Sequence, residues 1–417
     1  MKILLITAYF PPEVGSAAHL YHDLGVALTQ FGHEVTVLTA LPGYNAQGDL
    51  KKYRRKLWMQ EEVDGLRVIR VATPRLPRRL MFGRALWQFG SALSMAAASA
   101  IIGRHDAAIV YSPPLPLGLS AWMLRALKNT PFILNVQDLF PQSVIDLGLL
   151  KNKLLIRFFE GLEKFLYSRA DLISVHSDTN AAHVICNGDP PPMIEVMPNW
   201  VDTDEIRPNE SGEDFRKRYS LADEFVVSFG GVIAYSQDID VILDAAELLR
   251  DRADIRWLIA GDGVEKERLV SLAQERLLDN VRFLPMLPRE EYPELLYASD
   301  ACLATLRAEV KTPVVPSKIM SIMAAGKPVI ACMDECGDAP KLIHKAECGY
   351  ALPPGDAKSL ADTVVKLYED NEAARKLGAN GRDYAERHLS LRQAASNYLQ
   401  IISSMTRKHA SSVQETQ

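Results

Sequence analysis

Short apolar runs alternate with amphipathic helical stretches through this chain, and the alternation starts afresh partway along. Lys2 to Ala8 is one such run. Leu20, Leu24, Ala27, Leu28 and Phe31 then form a helical stripe that Gly32 stops, and Glu34 to Thr39 is the next run. Strands this uniformly apolar are buried on both faces, which calls for helices above and below a parallel sheet. Further strands are expected at Ala107 to Tyr111, Pro131 to Val136 and Leu172 to Val175, with a long helix from Asn152 to Arg169. After the polar stretch PNESGED (208–214), strands recur at Phe225 to Phe229, Arg256 to Ala260, Val281 to Leu284 and Ala301 to Thr305. Gly230-Gly231 reads as a tight turn. The expected fold is α/β, with two Rossmann-like parallel-sheet domains and an interdomain crevice. The expected spans are 1–207 and 208–390, with further helix in 391–417 to about Met405 and a disordered polar tail from Lys408.

The most informative stretch is PSKIMSIMAAGKPVIA, Pro316 to Ala331. Pro316 and a capping Ser317 start a helix, Gly326 and Pro328 end it, and Val329 to Ala331 continue as a strand. Ser317 and Ser321 share a face, with Lys318 beside them. Hydroxyl, ammonium and first-turn amides together suit a phosphate. Gly15-Ser16, opening the first helix, is a second place where backbone amides can approach a phosphate. No GxGxxG accompanies it, so a dinucleotide is not indicated.

Of 417 residues, 47 are Lys or Arg and 52 are Asp or Glu, giving a net charge of −5. Residues 1–200 carry +4 and the remainder −9. No strongly basic domain appears, so nucleic acid is not an expected partner. The five cysteines form no CxxC pair and lack histidines at zinc-finger spacing, which indicates reduced thiols. The apolar N-terminal run is too short for a secretory signal, so a cytoplasmic location is expected.

Arg75, Arg78, Arg79 and Arg84 are interleaved with Leu76, Leu80, Met81, Phe82 and Trp87, and no charge follows until Arg104. A membrane span there would put strands of one sheet on opposite sides of a bilayer. The reading is therefore a packed helix whose basic, aromatic start meets an anionic membrane surface.

Taken in order, KILLITAYFPPEVGSAAHL, GHEVTVLTA, VMPNWVDTDEIRP, FGGVIAYSQDIDVILDAAELL, RWLIAGDG, VRFLPMLP, ASDACLATL, PSKIMSIMAAGKPVIA and CGYALPPGDAKSLADTV cover most of the chain. In this order it resembles the retaining nucleotide-sugar glycosyltransferases of family 4, which have the GT-B fold. NVQDLFPQS and PSKIMSIMAAGKPVI look most like enzymes of O-antigen, capsule and exopolysaccharide assembly, such as L-fucosamine and colanic acid fucosyl transferases.

The resemblance implies a nucleoside-diphosphate sugar bound mainly by the second domain, without a metal or other cofactor, and a helix in 391–417 that crosses back to the first domain. It implies a polyprenyl-diphosphate-linked saccharide acceptor on the first domain, and peripheral attachment to the inner membrane face. Gly15, Ser16, Gly230, Gly231, Gln237, Ser317, Lys318 and Ile319 would meet the diphosphate. Gly261, Leu284 and Ser321 would border the nucleoside, Glu13 and Glu309 the sugars, and Gln137 and Asp138 the reacting centre. Many relatives carry a basic residue at the position of Gln237, a carboxylate at Ser321 and a histidine at Gln137. These neutral replacements weaken stabilisation of a leaving group, and leave Lys318, Asp138 and Glu309 as candidates to supply it. A GT-B binding subunit without turnover is the alternative. The paired carboxylates of an epimerase and the strongly basic pocket of a phosphorylase are not found.

Overall fold

The structure is a computed structural model that describes residues 1–13, 15–43, 46, 50–74, 81–146, 148–187, 193–208, 212–221, 223–311 and 315–414. For 16, 81–86 and 408–414 it describes the backbone alone. The chain divides into two compact units, Met1–Asn199 with Leu391–Gln417, and Trp200–Ser390. The division thus falls before the polar stretch at 208. Val201 bridges to Ser390, and Val201 and Ile206 pack into the second unit's core.

The first unit holds an eight-stranded sheet made of β1 (Lys2–Ile6), β2 (Glu34–Ala40), β3 (Trp58–Val63), β4 (Leu66–Val71), β5 (Ala107–Ser112), β6 (Phe132–Val136), β7 (Leu172–Val175) and β8 (Ile194–Val196). Their order is β3-β4-β2-β1-β5-β6-β7-β8, parallel except for the β3–β4 pair. The second unit holds six parallel strands, β9 (Phe225–Val232), β10 (Ile255–Asp262), β11 (Val281–Leu284), β12 (Ala301–Thr305), β13 (Val329–Cys332) and β14 (Gly349–Leu352), in the order β11-β10-β9-β12-β13-β14. Helices connect the strands because parallel neighbours need long crossovers. Local chemistry sets several helix starts. Asn152 accepts from the amides of Leu154 and Leu155, and Asp356 from that of Ser359.

Several expectations need correction. β1 stops at Ile6, and β9 runs through Gly230 and Gly231, which pair with Ala260 and Gly261 rather than turning. Ser317 makes no side-chain cap; it is the first residue of helix Ser317–Ala324, after Pro316. The C-terminal helix Leu391–Gln414 extends beyond Lys408, where a disordered tail was expected. The uncharged run lies in helix Met81–Ile101, and no helix among the described residues is long and apolar enough to cross a membrane. Arg75, Leu76, Arg78, Arg79 and Leu80 lie outside the described residues, as do the side chains of Met81, Phe82 and Arg84. Trp87, expected at a membrane interface, is instead 3% exposed and donates to Thr73 Oγ1 at 3.3 Å.

Candidate active site

In the second unit, β9 and β12 are neighbours while the sheet grows away from them in opposite directions. Their carboxyl ends therefore flank a topological switch point, where open α/β sheets bind ligands. The loops after the two strands clasp there. Thr305 Oγ1 donates to the Gln237 carbonyl, the Arg307 amide to Ser236 O at 3.0 Å, and Arg307 Nε to Tyr235 O at 2.8 Å. This clasp fixes the turn Tyr235–Gln237.

The Gln237 side chain meets Lys318, whose Nζ donates to Oε1 at 2.8 Å. The same ammonium lies over the Phe229 ring, 3.6 Å from its centroid. Gly231, at φ 144°, leaves room beside it, since a Cβ there would stand 3.3 Å from Nζ. No carboxylate pairs with Lys318 among the described residues, and desolvation pulls its pKa down to about 7. The N-terminal turn of a helix, itself electropositive, further disfavours the charge. An anion placed there would restore it.

Ser317 is exposed at the head of this helix and Ser321 half-buried one turn on. The Ile319 amide already donates to Pro316 O at 3.0 Å, so the expected run of amides from Ser317 to Ile319 loses its last member. Gly261 is the last residue but one of β10 and Leu284 ends the adjacent β11, and Lys266 Nζ joins them by donating to both carbonyls, at 2.7 and 2.9 Å. Glu309 is exposed in the segment after β12. Asp202-Thr203-Asp204 and Asp238-Ile239-Asp240 each spell the Asp-x-Asp of a metal site, but the carboxylates of Asp202 and Asp240 have partners within the protein. Asp202 accepts from the amides of Asp204 and Glu205, while Asp240 is ion-paired to Arg268 and Arg307. Among the described residues, no group of three or more His, Cys, Asp or Glu is arranged to hold a metal.

In the first unit the switch point lies between β1 and β5. Gly15, at φ 158°, opens helix Ser16–Gln30, and a Cβ there would meet nothing within 4 Å. The Ser16 hydroxyl falls outside the described side chains. Glu13 is buried, and its Oε1 accepts from the Gly43 amide at 3.1 Å.

Gln137 and Asp138 follow β6. Gln137 is buried, donating to Asn135 Oδ1 at 3.0 Å and accepting from Asn199 Nδ2 at 2.7 Å. Asn135 also donates to Ser174 Oγ at 3.0 Å and Tyr398 OH at 3.1 Å, and accepts from Tyr21 OH at 3.3 Å. Both ends of the Gln137 amide are thus engaged within the first unit. Asp138 by contrast is exposed, yet the protein around it raises its carboxyl above the ordinary 3.8 by desolvation. Sequence reasoning missed Phe229, Lys266 and the Asn135 network. The signal for the last is a lone amide within the apolar strand FILNV.

Residues 15–200 match the family described as glycosyl transferase 4-like domain, and residues 211–384 the family described as glycosyl transferases group 1. The Pseudomonas aeruginosa protein described as probable glycosyltransferase WbjE is 27% identical over 300 residues, covering 71% of this chain and 74% of its own. The Escherichia coli K12 protein described as putative colanic acid biosynthesis glycosyl transferase WcaI is 25% identical over 335 residues, covering 78% and 82%. The Anabaena HepE structure in complex with UDP superposes with a TM-score of 0.73 at 17% identity, covering 97% of this chain and 100% of that one. The shared fold is GT-B.

Proposed function

From a chain that is a two-domain glycosyltransferase of group 1, we propose that it moves a sugar from a nucleoside-diphosphate donor, UDP- or GDP-linked, onto a lipid-linked saccharide with retained anomeric configuration. The observation that carries the donor half is Lys318. Its suppressed ammonium, at a helix N-terminus and against a neutral Gln237 carbonyl, gains most from a diphosphate. HepE, with the same fold, is a complex with UDP. The acceptor half rests on WcaI, whose description places it in colanic acid biosynthesis, and on Asp138, a carboxylate past the end of β6 suited to orient a hydroxyl. In this reading the leaving phosphate oxygen takes the acceptor proton on the face where the new bond forms. The acceptor is carried on a polyprenyl diphosphate at the inner face of the membrane, where the enzyme sits peripherally.

Thermal shift and calorimetry with UDP, GDP and their sugars test the donor half, because a ligand of the native state raises apparent stability. Stabilisation by a nucleoside diphosphate, and transfer that survives EDTA, are expected. Transfer that vanishes with EDTA and returns only with Mn²⁺ or Mg²⁺ contradicts the metal-free reading. One observation favours a binding subunit without turnover, namely the engagement of both ends of Gln137. Donor hydrolysis separates the two.

A further inference from the structure

The first unit carries an apolar surface that nothing in the proposed chemistry uses. Helix Met81–Ile101 presents Phe89, Leu93, Ala97 and Ile101 at four-residue spacing, one stripe of about 18 Å along the axis. Leu93 is 71% exposed and Ile101 78%. Phe89 meets Phe158 of helix Lys153–Arg169, with ring centroids 5.7 Å apart. There the surface continues through Leu154 and Phe158, 75% and 53% exposed. Isolated exposed leucines are ordinary, but a face contiguous across two helices marks an interaction site.

Its border is mainly cationic, with Glu160 the exposed carboxylate of helix Lys153–Arg169. Lys151, Lys153 and Arg157 are exposed beside Leu154, and Arg104 follows Ile101. Among the described residues, no carboxylate pairs with Lys151, Lys153 or Arg157. Leucines and a phenylalanine bordered by unpaired lysine and arginine match the interface of an anionic bilayer, where apolar tips enter the acyl boundary and cations meet phosphates. A second copy of the chain fits less well, since a symmetric contact would bring the same cations together.

The end of the surface around Phe89 and Phe158 is also suitably placed, while Ile101, just before β5, lies toward the other edge of the sheet. Helix Lys153–Arg169 leads from β6 back to the parallel β7, so its first turns, with Leu154 and Phe158, start from the carboxyl edge of the sheet. Asp138 lies on that edge. We infer that this two-helix face docks on anionic phospholipid and thereby holds the acceptor-binding unit against the membrane that carries its substrate. The inference rests on the proposed function only for the acceptor; lipid binding is measurable without any transfer.

The test is co-sedimentation of the full chain with vesicles of phosphatidylglycerol in phosphatidylcholine, and of phosphatidylcholine alone, at low and high salt. Wild type should pellet with the anionic vesicles at low salt and be released as salt rises. Each cation near such a surface is worth about fivefold in partitioning, so Lys153→Glu with Arg157→Glu should lower it at least ~25-fold. Leu93→Ser with Leu154→Ser should lower it about tenfold. The thermal midpoint and the shift produced by UDP or GDP, read on the same samples, should be unchanged in both variants. Wild type that ignores anionic vesicles, or variants that pellet like wild type, overturn the inference. So does a dimer that the leucine variant dissolves without any lipid binding in wild type. Loss of the nucleotide shift in wild type instead overturns the donor reading, whatever the lipid result.

Discussion

Lys318 Nζ donates to Gln237 Oε1 at 2.8 Å, and both side chains come from elements that follow the carboxyl ends of β9 and β12. The pair is asymmetric. One partner is a cation that desolvation suppresses, and the other is a neutral amide that relieves it only in part. Replacing Lys318 by Ala removes the suppressed charge and with it the anion's partner. Nucleotide affinity should fall about ten- to hundredfold, since charge-assisted bonds are worth roughly 1.5–3 kcal/mol each. The thermal midpoint of the free protein should hold or rise. Calorimetry with UDP and GDP alongside a melting curve checks both; unchanged affinity removes Lys318 from the site.

The same residue sets a pH dependence. Its folded value of about 7 lies below the ordinary 10.5, so between these values the unfolded chain binds more protons. This group therefore makes the free protein more stable as pH rises from about 7 towards 10.5. A bound diphosphate favours the protonated form, so binding above pH ~7 takes up a proton and affinity falls by up to about tenfold per unit. Calorimetry in buffers of different ionisation enthalpy reads the uptake directly. Lys318→Met should abolish it.

Asp138→Asn should leave a folded protein that binds nucleotide and does not turn over. The raised carboxyl pKa means the folded state holds this proton more tightly than the unfolded one, so the charge weakens the fold as pH rises through that range. The variant should thus be at least as stable at neutral pH. If the carboxylate is the working form, the acid limb of the wild-type rate profile lies above the ordinary Asp range. Near-normal turnover in the variant would reject the role.

Much of the fold was readable because several buried strands, β1, β5 and β13 among them, are continuous apolar runs. β7, β11 and β12 match their expected limits, and the same signal predicted both parallel sheets. Gly230-Gly231 misled, because glycine in a strand marks close backbone approach as readily as a turn. Here a Cβ on Gly261 would stand 1.9 Å from the Gly231 carbonyl. The chemistry of the site was less legible. Gln237 lies 81 residues from Lys318, and Asn199 lies 62 from Gln137. Desolvation and engaged amides are properties of such distant pairs, and no local spacing records them.

Tyr398 makes the longest of these connections, to Asn135 across 263 residues of chain, with Ser174 Oγ at 3.2 Å. Tyr398→Phe keeps the ring and removes the hydroxyl from a buried network. The expected loss is about 1–3 kcal/mol of folding stability, for buried polar groups left with one partner fewer. Chemical denaturation measures it. Turnover should fall further than nucleotide binding, because Asn135 positions Gln137 beside Asp138 in the first unit. An equal fall in both would make Tyr398 purely structural.

Exchanging the charge at Gln237 gives the sharpest test of the donor site. Gln237→Glu is nearly isosteric and sets a carboxylate against an ammonium at hydrogen-bond distance. It should raise the Lys318 pKa and the thermal midpoint of the free protein, since the half-buried cation gains a full partner. The same carboxylate would face an incoming diphosphate, so nucleotide affinity should drop at least about tenfold. Gln237→Lys reverses both signs. Two ammonium groups then face each other and the free protein loses stability, while a diphosphate between them gains a second charge-assisted contact. Stability should therefore rank Glu above Gln above Lys, and nucleotide affinity Lys above Gln above Glu. Opposite rankings in melting curves and calorimetry are what an anion site requires. If the two quantities move together, or affinity ignores the series, the diphosphate does not bind at Gln237 and Lys318.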